Sequence, residues 1–188
     1  MNLSLKKENM TEYLEAVKAQ GEFFICMLWG TVIPDLSNVE NLSIFSTGAD
    51  LIIPNSQNPS YFQFAPDVIE WFNNAMPRAK MKYIRRINAY PSFCYIGLSE
   101  KSLYVVAVDR SDTSRIIGTI ALPLASITSL KIRKTILGSI ILNITGDSSG
   151  HAILTIKGTS TGTDIEDQRE RMAAFLAAID ALKTDIPG

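Results

Sequence analysis

The chain has 188 residues, of which 46% are apolar and 20% charged, and its formal net charge is −1. That length suits one domain with additions, or at most two small ones, and it can bury a sizeable core. The near-neutral balance excludes a global field that would draw in nucleic acid, although it leaves room for local patches. No apolar stretch reaches about 18 uninterrupted residues, so no transmembrane helix is expected. The opening MNLSLKKENMTEYLEAVK has neither an apolar core of signal-peptide length nor a small-residue cleavage site. The expectation is a soluble cytoplasmic protein.

Residues 9–20 read as a short helix, with Asn9 as cap, Glu12 as its capping-box partner and Gly21 as the stop. Met10, Tyr13, Leu14 and Val17 share one face. EFFICMLWGTVI, 22–33, reads as a strand apolar on both faces, so the second face needs cover from the first helix or from another subunit. From 34 to 64, Pro34, Pro54, Pro59, Gly48 and many Asn and Ser residues break any period, which predicts loops and short elements. PDVIEWFNNAM, 66–76, is predicted helical, with Pro66 at the first position and Val68, Ile69, Phe72 and Met76 on one side, ending at Pro77. Residues 78–88 fit either a helix or a strand.

From 92 onward the pattern is strands and tight turns. Phe93–Leu98 and Leu103–Val108 form a hairpin through Ser99–Ser102, and DRSDTS, 109–114, turns into the strand RIIGTIAL, 115–122. Beyond Pro123, Leu130, Ile132, Ile136, Ile140, Leu142 and Ile144 fall on even positions. Ser129, Lys131, Arg133, Ser139, Asn143 and Thr145 fall on odd ones. Period two predicts a half-buried antiparallel hairpin turning at Thr135–Gly138. GDSSG, 146–150, turns into HAILTIK, 151–157. The last element is predicted helical, capped by Thr163 with Glu166, with Ile165, Met172, Phe175, Leu176, Ile179 and Leu182 as its buried stripe.

Strands in short-turn succession closed by one amphipathic helix make an α+β arrangement, a curled antiparallel sheet whose open end a helix can plug. The order YIGLSEKSLYVVAVD, a third strand, IALPLASITSLKIRKTILGSIILNI, a further strand and a C-terminal helix resembles bacterial pleckstrin-homology-like (PH/GRAM-like) domains. The LPLASITSLKI step carries most of that resemblance. It implies a single PH-like domain over 1–188, a partly open barrel with its core in 22–33 and 92–184. Residues 34–91 would be an insert after the first strand.

Few residues offer chemistry. His151 is the sole histidine, no nucleophile-elbow motif accompanies it, and its ordinary role is a half-exposed strand-edge residue. One histidine and two distant cysteines do not make a zinc site. Cys26 and Cys94 read as buried reduced thiols, with pairing left open. The carboxylate pairs Asp109 with Asp112 and Glu166 with Asp167 sit where turn formation and helix-dipole complementarity are their ordinary work. GTSTG, 158–162, lacks the lysine and spacing of a P-loop. No cofactor is expected, and the chain is read as non-enzymatic.

Two basic clusters have a plausible partner. Arg78, Lys80, Lys82, Arg85 and Arg86 place five cations within nine residues, and Lys131 and Arg133 share a strand face with Lys134 beside them. Cations this close suit anionic lipid headgroups or other anions, whereas their ordinary role is a solvated surface. Tyr83 among them is thin support for nucleic-acid stacking. The leading expectation is an interaction module that holds a protein partner or a second copy of itself. A peripheral binder of anionic membrane lipids comes second and an enzyme third.

Overall fold

The computed structural model describes residues 4–34, 62–146 and 151–182. In chain order the elements are α1 (Lys7–Val17), β1 (Phe24–Pro34), β2 (Gln63–Phe64), α2 (Pro66–Asn74), α3 (Pro77–Ala89), β3 (Ser92–Ser99), β4 (Ser102–Val108), β5 (Ile116–Pro123), β6 (Ile127–Lys134), β7 (Ile140–Gly146), β8 (His151–Ile156) and α4 (Gln168–Leu182). The eight strands form one antiparallel sheet in the order β2-β5-β4-β3-β1-β8-β7-β6. Most of 34–64 and the predicted turn at 146–150 lie outside the described residues.

The sheet curls because both of its flanks bury apolar side chains in one core. Ile120 and Leu122 of β5, Leu28 and Val32 of β1, and Leu142 and Leu154 of β7 and β8 meet there, with Phe175 and Ile179 of α4 filling the open side. Alternation serves a second face as well. Trp29, Tyr95, Tyr104, Val106 and Val108 point the other way, into a smaller core with Met10 and Leu14 of α1. The cover that β1 needs therefore comes from within the chain. Burying both faces is also why the 93–98 and 103–108 runs are apolar at nearly every position.

α1 begins two residues earlier than expected. Neither Asn9 nor Glu12 caps it; the Lys7 N–H donates to Asp164 Oδ1 at 2.6 Å, a carboxylate 157 residues away. Tyrosines of the sheet accept at both ends, Tyr95 from the Lys6 N–H and Tyr104 from the Ala19 N–H, each at 3.1 Å. Thr163 likewise does not cap α4, which starts at Gln168. Its hydroxyl accepts from the Ile165 N–H at 2.9 Å, and Leu5 bridges to Thr163.

β1 parts from β8 before Thr31, and only Thr31–Pro34 pair with it. The gap is filled by side chains of α4. The Gln168 amide donates to the Trp29 C=O at 2.7 Å and accepts from the Trp29 N–H at 3.4 Å, while Arg171 donates to the Met27 C=O at 2.9 Å.

Residues 78–88, left open between helix and strand, are helical within Pro77–Ala89, and Pro77 opens this helix. Two further expectations are corrected. Met76 stands exposed in the link between α2 and α3 rather than on a buried stripe. Ile136 does not continue the buried even-numbered row; it sits in the β6–β7 turn, where alternation ends, and is fully exposed. Cys26 and Cys94 are both free. Cys94 pairs in register with Gly30, four residues from Cys26, which separates them by roughly 13 Å along the strand, beyond disulfide reach.

Candidate functional site: a cleft between α3 and the β4–β5 turn

β4 ends at Val108, and the segment 109–115 returns the chain to β5. Two aspartates fold this turn on themselves. Asp109 accepts from the Ser111 N–H at 2.7 Å and the Ser111 hydroxyl at 2.5 Å, and Asp112 accepts from the Ser114 N–H and hydroxyl at 3.2 and 2.6 Å. The Asp109 N–H donates to the Arg115 C=O at 2.9 Å and closes the loop. Short acidic side chains that bond their own backbone two residues on favour such turns.

Facing the turn are α2 and α3, clamped together by rings. Tyr83 lies 5.1 Å from Trp71 and 5.3 Å from Phe72 between centroids. One turn further along α3, Arg86 stacks on Tyr83 at 5.6 Å and places a guanidinium nitrogen 3.8 Å from Asp109 Oδ2. Arg115 Nε donates to Asp67 Oδ2 in the first turn of α2 at 3.0 Å, tying that helix to the same turn. Arg110 lies over Phe93 at 5.2 Å and donates to the Pro91 C=O at 3.3 Å.

Between these walls is a cleft of about 350 Å³, bounded among others by Tyr83, Arg86, Tyr90, Asp109 and Arg110. An adjoining hollow of about 330 Å³ shares Tyr83, Arg86 and Asp109 and adds Trp71 and Arg115. Three arginines and two aspartates, Asp67 and Asp109, leave the site with a small positive excess. Tyr90, 61% exposed, stands at the rim.

Burial pushes the Asp109 carboxyl upward, but the two bonds from Ser111 and the charges of Arg86 and Arg115 outweigh it and hold its pKa below the ordinary value. A depressed carboxyl stabilises the fold above its unfolded pKa, about 4, and loses that contribution as pH falls through the folded value. Asp109→Asn is therefore expected to be less stable than the parent at pH 7, and the gap should close as pH drops below about 4. Urea denaturation at the two pH values checks this, and a gap independent of pH would refute it. Burial also raises the Tyr83 pKa.

Of the first basic cluster, Arg86 lines the cleft. Arg78 and Lys82 project into solvent, Lys80 is half-buried, and the Arg85 side chain lies outside the described residues. Lys131, Arg133 and Lys134 are exposed on β6, at the sheet edge opposite β2 and β5. Arg86 faces the β4–β5 turn, whereas Lys134 stands at the β6–β7 turn. His151 opens β8, half-buried opposite Thr145. Among the described residues no group of three His, Cys, Asp or Glu could hold a metal, and no helix is long and apolar enough to cross a membrane.

Sequence reasoning missed Arg110, Arg115, Trp71 and Tyr90. The signal available was an arginine at each end of the serine- and aspartate-rich turn, beside a segment dense in aromatic residues. No family model matches the chain, and no curated protein does. Among solved structures it is similar to "The hSac2 domain from human phosphoinositide phosphatase Sac2", at a TM-score of 0.44 and 10% identity over 94% of this chain and 79% of that one. A likeness this remote says nothing of what the chain binds.

Proposed function

We propose that the protein is a non-enzymatic interaction module that takes a segment of a partner protein into the cleft between α3 and the β4–β5 turn. The composition of the walls carries this reading. Arginine, tyrosine and tryptophan are the residue types that concentrate binding energy in protein interfaces, and here they converge as Arg86, Arg110, Tyr83, Tyr90 and, in the adjoining hollow, Trp71 and Arg115. The buried Asp109 is committed to Ser111 and Arg86, which suits a scaffold for the arginines better than a proton carrier. A segment offering a carboxylate to the arginines and an apolar or aromatic side chain to the rings fits the site.

The finer description of the fold belongs to the same reading. The strand order, with β1 central and the C-terminal helix filling the open side, supports a PH-like barrel whose insert contributes α2 and α3 to the binding site. Two free thiols fit a reducing cytoplasmic setting. Self-association no longer follows from β1, whose second face α1 covers.

Random peptides displayed on phage and selected on the parent protein test the proposal, with counter-selection on Arg86→Glu/Tyr90→Ser. Enrichment of acidic peptides bearing aromatic or large apolar residues is expected. A synthetic consensus peptide should bind the double variant at least about tenfold more weakly, since truncating a hot spot costs more than about 1.4 kcal/mol. The peptide should also shift the fluorescence of Trp71, because the second tryptophan, Trp29, is buried. Equal binding to parent and variant would sink the assignment of the site.

A further inference from the structure

The end of the sheet away from the cleft carries a feature that the binding site does not use. β6 and β7 are joined by a tight turn in which the Thr135 N–H donates to the Ser139 C=O at 2.8 Å and the Gly138 N–H to the Thr135 C=O at 3.1 Å. Gly138 takes the positive φ of 75° that this turn requires. The two residues left at the apex are Ile136 and Leu137, which are 104% and 90% exposed. This turn needs glycine only at Gly138 and accepts most residues at its two central positions, so it makes no demand for apolar ones. Two adjacent large aliphatic side chains held out into water are therefore not explained by the turn, and they contribute nothing to either core.

The stem beneath them is cationic. Lys131, Arg133 and Lys134 are exposed on β6. Across the sheet Lys134 pairs with Ile140, which pairs with Ile156, so the exposed Lys157 comes to the same end. From Thr113 to Gly146 the chain has no acidic residue, so nothing on β6 or β7 balances these charges. Cations on an edge strand discourage strand addition, but that role places no demand on the apex.

We propose that the β6–β7 hairpin is a membrane-docking finger. Ile136 and Leu137 enter the boundary between headgroups and acyl chains of an anionic bilayer, while Lys131, Arg133, Lys134 and Lys157 lie against the negative headgroups. Apolar insertion joined to electrostatic attraction is the pairing that gives peripheral proteins stable binding. The finger is at the opposite end of the strands from the cleft, so a docked molecule keeps its peptide site open, and the two proposals stand or fall separately.

Co-sedimentation with phosphatidylcholine vesicles, with and without a phosphatidylserine fraction of about a third, tests this. The parent should bind the anionic vesicles and lose most of that binding between about 0.1 M and 1 M salt, where the screening length falls from about 10 to 3 Å. Ile136→Ser/Leu137→Ser changes only exposed side chains and should bind on the order of tenfold more weakly. Lys131→Glu/Arg133→Glu should weaken binding at least about thirtyfold, at about 1 kcal/mol for each cation removed. Failure of the parent to bind anionic vesicles overturns the proposal. So does binding that the apex variant leaves unchanged, because the apolar residues would then be idle. Light scattering on the same samples covers the remaining outcome: a dimer that Ile136→Ser/Leu137→Ser dissociates, without vesicle binding, would make the apex an interface between copies and overturn the bilayer as its occupant.

Discussion

Phe175→Ala is expected to lower stability by about 3–5 kcal/mol, a large part of the total for a domain of this kind. Phe175 is fully buried on α4 and shares one core with the apolar rows of β1, β7 and β8. Removing the ring takes away its transfer free energy and leaves a cavity between a helix and strands that are hydrogen-bonded in place and cannot close over it. Urea denaturation followed by the fluorescence of the buried Trp29 measures the loss. A cost below about 1 kcal/mol would mean that the sheet holds its curl without α4.

Gln168→Leu should cost about 2–4 kcal/mol, although leucine is close in size and suits a buried site better in itself. The amide of Gln168 satisfies both the N–H and the C=O of Trp29 on the stretch of β1 that β8 does not reach. Leucine would leave two backbone groups buried without partners, at about 1–3 kcal/mol each. Hydrogen exchange at the Trp29 amide gives a second readout that a packing change alone would not move. Faster exchange there, with other β1 amides protected, is expected. Unchanged exchange would show that water or a shifted strand takes the place of the side chain.

The strands were readable because burial writes itself as alternation. Even and odd positions of 93–98 and 103–108 serve different cores, and the row Ile140, Leu142 and Ile144 is buried as expected. Helix starts were misread where the cap comes from far along the chain. Asn9 and Glu12 have the spacing of a capping box, but Asp164 reaches Lys7 first, and no local pattern encodes that. The segment 77–89 was ambiguous because five cations dilute its apolar period. The cleft was invisible because its walls are far apart in sequence, Tyr83 and Arg86 on one side and Asp109 to Arg115 on the other. Charge density pointed to Arg86 but equally to Arg78 and Lys82, which face solvent. Only the register of the folded chain separates them.

The bond from the Lys7 N–H to Asp164 has a consequence for synthesis. α1 leaves the ribosome well before the group that caps it, which is made 157 residues later. At roughly 5–20 residues per second the delay is about 8 to 30 s. For a little over half of that interval the apolar side of α1, Met10 and Leu14, also awaits Tyr95, Tyr104 and Val106. This stretch of the nascent chain is thus an amphipathic segment open to chaperones until its partners on β3 and β4 are made, and its first turn is capped only after Asp164 follows.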